Sequence, residues 1–194
     1  MKEELPLSEV ESIRIIHQMI DATKSTLLQD GFLYLFWGWT IFLCSMGEYL
    51  LMFTNFRHPY ITWVLMPAAG IKYVLYLKQR KDSRRVKSYI DVFMSYLWLG
   101  FVIAVLIILL AFPILGYKNV LPLTILFYGI GTFASGGALQ FKILIFGGLA
   151  NFPLAIVGLF ASFQNQLFIL AIAVVCSFII PGYALKANFK NKFV

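Results

Sequence analysis

The chain has 194 residues, of which 60% are hydrophobic and 13% charged, against about 45–50% and about 25% in an ordinary soluble domain, so it belongs in a membrane. Its length accommodates six spans of about 20 residues with short loops, and no appended soluble catalytic domain is expected. The net charge of +7 does not indicate nucleic acid, because the basic residues gather at expected membrane edges, and Cys44 and Cys176, both in apolar runs, offer no disulfide framework.

Residues 1–30 form a cytoplasmic segment of their own. They carry six acidic side chains and no apolar core, which argues against a cleavable signal peptide, so the first span is expected to be retained. Ser8 and Glu11 fit a capping box, and a helix is expected from about Glu9 to Leu28. Val10, Ile13, Ile16, Ile20 and Leu27 fall on one stripe, while Glu11, Arg14 and Gln18 face elsewhere. His17 and Lys24 beside the stripe, and Ile15 away from it, make this amphipathic helix imperfect. Asp30 and Gly31 then break it before the membrane.

Apolar runs long enough to cross about 30 Å of hydrocarbon lie near 31–53, 59–77, 91–113, 119–138, 141–160 and 166–185. The expected fold is therefore all-α, a six-helix transmembrane bundle over 31–185 with a cytoplasmic tail at 186–194. Only Leu139 and Gln140 separate the fourth and fifth runs, so that hairpin must be tight, and five spans is the alternative. A cytoplasmic N-terminus places thirteen Lys and Arg inside and only Arg57 and Lys118 outside, with Lys72 left within the second span. Both termini are thus expected in the cytoplasm. The two halves also share a weak pattern. Leu35-Phe36-Trp37-Gly38 parallels Leu126-Phe127-Tyr128-Gly129, Pro67 parallels Pro153, and Ile103-Ala104-Val105 before Pro113 parallels Ile172-Ala173-Val174 before Pro181. A duplication of three spans would invert the second half, as in many transporters.

Glu48 is the most informative residue, since a carboxylate costs about 2.5–3.5 kcal/mol at mid-bilayer on insertion scales and usually faces protein or water. Two readings stay open for it: a proton- or cation-binding group, or a hydrated carboxylate near the outer interface. Lys72 is a second candidate, although its stem can carry the ammonium to the headgroups. A direct pair with Glu48 is not expected, because the two differ in depth by about half the membrane. Trp37 and Trp39 fit an interfacial belt. They point to nearly opposite sides, so either, with Trp39 the candidate, could line a cavity. Gly129, Gly131, Ser135, Gly136 and Gly137, then Gly147, Gly148, Asn151 and Pro153, suit a closely packed helix pair. The rival is a broken helix, marked by Pro153 and Pro181, whose freed backbone groups coordinate a solute together with Asn151.

No catalytic residues, metal ligands or cofactor site emerge. His17 and His58 are expected on opposite sides of the membrane, and there is no Cys-x-x-Cys, His-Glu-x-x-His, phosphate-binding loop or Gly-x-Ser-x-Gly elbow. The run Ile13 to Lys24, Trp37-Gly38-Trp39, Tyr128-Gly129-Ile130-Gly131-Thr132-Phe133 with Ser135-Gly136-Gly137, and Ile180-Pro181-Gly182-Tyr183 together resemble a family of small bacterial multi-span membrane proteins. The resemblance covers most of the chain. It implies a bacterial inner membrane, and nothing about substrate or catalytic residues.

Two functions follow as expectations. The first is a non-enzymatic regulatory or partner-binding membrane protein; the alternative is a small-solute or ion transporter using Glu48, Asn151 and bent spans. Residues 1–30 hold six acids and three bases, net −3, whereas residues 78–87 hold six bases and Asp82, net +5. The acidic helix is therefore expected to dock beside Arg84 and Arg85, with Ile13, Ile16 and Ile20 packing on the span ends or on a second protomer, and a cytoplasmic protein partner would release it. Besides the lipid bilayer, the expected partners are that cytoplasmic protein and a second copy of the chain, not nucleic acid.

Overall fold

The structure, a computed structural model, describes residues 31–54, 56–79 and 89–192. Regular structure among these residues is all helical, and five helical stretches are long and apolar enough to cross a membrane. The expected amphipathic helix, with Ile13, Ile16 and Ile20, and the basic loop residues Arg84 and Arg85 lie outside the described residues.

The first helix, α1 (Gly31–Phe53), carries Glu48 as its one charge and at 1.5 Å per residue is about 34 Å long. After His58 a 3-10 helix, Pro59–Val64, leads into α2 (Leu65–Gln79). The second expected span is thus two pieces. Fifteen residues of α-helix rise about 22 Å, short of the roughly 30 Å hydrocarbon core, and the six 3-10 residues add about 12 Å. Helix α3 (Tyr89–Leu110) is followed by the short α4 (Phe112–Leu115) and by Gly116. Gly116 has φ +70°, a conformation without Cβ strain only for glycine, and it turns the chain into α5 (Tyr117–Leu139).

The tight hairpin between the fourth and fifth runs is a real helix end. Gln140 adopts the left-handed conformation, its N–H bonds to Gly137 O at 3.1 Å, and the Phe141 N–H bonds to Gly136 O at 2.9 Å, the paired bonds of a Schellman cap. Helix α6 (Lys142–Phe160) then runs back unbroken through Pro153, so this proline does not divide the helix. The last crossing is α7 (Phe163–Val174), a π-helical turn at Val175–Ile179, and α8 (Ile180–Lys192). Pro181 has no N–H for the carbonyl of Ser177, four residues earlier, and a π turn just before it accommodates that loss.

Close backbone approach, rather than large side chains, joins α5 to α6. A Cβ on Gly148 would sit 2.5 Å from the Phe133 nitrogen, and one on Gly136 would sit 2.6 Å from the Ile145 nitrogen. Small residues serve this purpose in membranes, where burial of apolar surface no longer drives helices together. The bundle interior is filled by aromatic rings: Phe101 lies 4.9 Å from Tyr128, Tyr128 5.2 Å from Phe178, and Phe178 5.8 Å from Trp98. Gly31 packs against Gly182 and Leu185, and Phe32 against Tyr76, so the start of α1, the last turns of α2 and the first half of α8 share one end of the bundle.

Candidate functional site

At the opposite end, where α1 finishes, a cavity of about 750 Å³ is walled by Glu48, Met52, Tyr60, Lys118, Phe160 and Phe163 among others. Its acidic wall is built by the turn after α1. Cys44 donates from Sγ to the Thr62 carbonyl at 3.2 Å, and the Thr62 hydroxyl donates back to the Cys44 carbonyl at 3.0 Å. Gly47 leaves room for this, since a Cβ there would meet the Thr62 methyl at 2.8 Å. With the 3-10 helix held so, the Trp63 indole N–H donates to Glu48 Oε2 at 2.5 Å. A hydrogen bond to a charged group contributes about 1.5–3 kcal/mol, and more of its strength is kept away from water. Glu48 is only 6% exposed, and its second oxygen takes no hydrogen bond among the described residues.

The opposite wall depends on Gln166. Its side chain is fully buried, and Nε2 donates to the carbonyls of Lys118 at 2.8 Å and Gly158 at 2.9 Å, with a longer bond to Ala161 at 3.4 Å. One amide thereby ties the beginning of α5 to the end of α6 and the turn before α7. Ser162 caps α7 by accepting from the Asn165 N–H at 3.4 Å. The result is a fixed backbone beneath Lys118, whose side chain is exposed, and beneath Phe160 and Phe163.

The other residues singled out from the sequence lie elsewhere. Lys72 lines a separate small cleft with Phe32, Phe36, Tyr73 and Tyr76 at the Gly31 end, so it does not share the Glu48 cavity. Trp37 packs on Tyr73, whereas Trp39 is 42% exposed with its ring against Phe42. Asn151 is fully buried in α6, against Gly129 of α5, and neither its Oδ1 nor its Nδ2 has a hydrogen-bond partner. Glu48, Lys72, Trp39 and Asn151 are therefore four separate places rather than one constellation. Among the described residues no group of three or more His, Cys, Asp or Glu side chains is arranged to hold a metal ion.

Trp63, Gln166 and Lys118 were absent from the sequence-derived candidates, yet one signal pointed to the first. Glu48 stands five residues before the end of the first apolar run and Trp63 four residues after the start of the next, so a hairpin places them at equal depth. No protein-family model matches the chain, and no match was found among curated proteins or solved structures.

Proposed function

We propose that the chain is a non-enzymatic regulatory protein of the bacterial inner membrane that binds a small ligand at its outer end and reports occupancy to the cytoplasm. In this reading it belongs with the small multi-span proteins it resembles. It crosses six times, the second time through the 3-10 helix and α2, and both termini and the amphipathic helix in residues 1–30 are cytoplasmic, as the distribution of Lys and Arg favours.

The observation that carries the proposal is the position of Glu48 on α1. This buried carboxylate faces the cavity at one end of a single 23-residue helix, and the other end of that helix adjoins the acidic segment 1–30. A ligand bound at Glu48 can bias the tilt or rotation of α1, and a helix is stiff enough to carry such a change to the segment at its start. The rings of Trp98, Phe101, Tyr128 and Phe178 that fill the middle of the bundle favour binding without passage.

A transporter is the second reading, favoured by the unpaired amide of Asn151 within the packed α5–α6 pair. Choline, a cation that does not cross lipid unaided, separates the two. In nanodiscs of phosphatidylglycerol the full chain is expected to give a saturable change in tryptophan emission on choline addition, absent in Trp63→Phe and in Glu48→Gln. In liposomes the same protein is expected not to accumulate labelled choline. Accumulation would support transport, and a choline response that survives Glu48→Gln would defeat the binding proposal.

A further inference from the structure

We propose that the cavity beside Glu48 takes a zwitterion, an ammonium group joined through a short spacer to a phosphate, as in the headgroup of an amino- or choline-bearing phospholipid. This rests on the binding role proposed above and specifies its ligand. The cavity carries charge of both signs, Glu48 on one wall and Lys118 on another, and the two do not form an ion pair with each other. The Glu48 carboxylate is held by a side-chain bond, and the Lys118 backbone, not its exposed side chain, is held by another. Trp63 fixes one oxygen of Glu48, leaving the other to face the ligand's cationic group, and Gln166 fixes the backbone beneath Lys118.

The remaining walls suit the rest of such a molecule. Tyr60, Phe160 and Phe163 are among the lining residues, and aromatic rings attract cations in partly desolvated sites. Met52 is apolar, and Phe160 is 88% exposed, so the cavity opens beside surface that fits acyl chains. Its place at the ends of α1, α5 and α6 is headgroup depth for helices of this length. A bare cation would leave Lys118 facing a like charge in the cavity, and a bare anion would do the same for Glu48. The zwitterion satisfies both.

Competition in phosphatidylglycerol nanodiscs, whose lipid lacks an ammonium group, tests this with the full chain. Tryptophan emission is titrated with choline, phosphocholine and lysophosphatidylcholine. Phosphocholine is expected to bind about fivefold more tightly than choline, the size of one partly exposed ion pair. Lys118→Met should abolish that advantage without weakening choline binding, which loses a like charge and is expected to stay equal or tighten slightly, and Lys118→Arg should restore it. Glu48→Gln should abolish the choline response and weaken phosphocholine. Tighter binding of lysophosphatidylcholine than of phosphocholine assigns the ligand to the bilayer, and equal binding assigns it to a soluble headgroup compound. If choline binds through Glu48 but phosphocholine gains nothing and Lys118→Met is silent, the zwitterion inference is overturned while the binding role stands. If phosphocholine binds independently of Glu48, both are overturned. A thermal unfolding curve matching wild type establishes that each variant is folded.

Discussion

At the scale of single residues, glycine and tryptophan decide more than the charged residues that first attract notice. Glu48 is identifiable from the sequence because carboxylates are rare in apolar spans. Its partner Trp63 is legible only once the hairpin register is considered, since tryptophan near a membrane edge is ordinary. The glycines of α5 and α6 look alike in sequence but are unequal in space. A Cβ at Gly148 would lie 2.5 Å from the Phe133 nitrogen, whereas one at Gly70 meets nothing within 4 Å. Gly148→Val is therefore expected to destabilise the folded protein by about 1–3 kcal/mol or more, because backbone must move to admit the side chain. Gly70→Ala is expected to be neutral or slightly stabilising, as alanine is the better helix former. Thermal unfolding in one detergent compares the pair; equal midpoints would contradict the packing described for α5 and α6.

Among the elements, α2 stands apart. Ala69 is the one buried hydrophobic residue among its described side chains, and Leu65, Ile71, Val74 and Leu75 are exposed. It leans on α1 and on the 3-10 helix before it, while α5 and α6 are locked by backbone contact. Local opening follows contact density, so hydrogen exchange in nanodiscs is expected to reach α2 well before the middle of α5 or α6. Matching protection in the three helices would count against this ordering. The helix boundaries were largely legible, because apolar runs near 31–53 and 141–160 coincide with Gly31–Phe53 and Lys142–Phe160. The 3-10 helix at Pro59–Val64 was not. Its local sequence is apolar throughout, and its winding accompanies the bonds that Thr62 and Trp63 make to α1. Of the two runs paired by the pattern shared between the halves, the second is a 3-10 helix plus a 15-residue α-helix, whereas the fifth is one unbroken 19-residue helix.

For the whole molecule, the cavity end and the Gly31 end lie at opposite ends of α1, and the orientation proposed from the Lys and Arg distribution would put the cavity outside. With Cys44 and Cys176 replaced by serine, single cysteines at Ser83 and Lys190 are expected to react with an impermeant thiol reagent only from the cytoplasm. A cysteine at Asn119, next to Lys118, is expected to react from outside. Labelling in the reverse sense would move the ligand site to the cytoplasmic face and remove the basis for an outer sensor.

The sequence by itself determined the membrane character, the helical class and the approximate limits of the apolar runs, because these depend on hydropathy summed along contiguous residues. It also singled out Glu48, an isolated charge in such a run. Tertiary structure alone decided what Glu48 faces, since that depends on Trp63 from the next hairpin arm and on Lys118, Phe160 and Phe163 from the other half of the chain. Gln166 shows the reason most directly: it is one of several amides along the chain until folding brings the carbonyls of Lys118, Gly158 and Ala161 within reach of its Nε2. The bond to Lys118 spans 48 residues and leaves no local pattern, so the tie that this amide makes to α5 exists only in three dimensions.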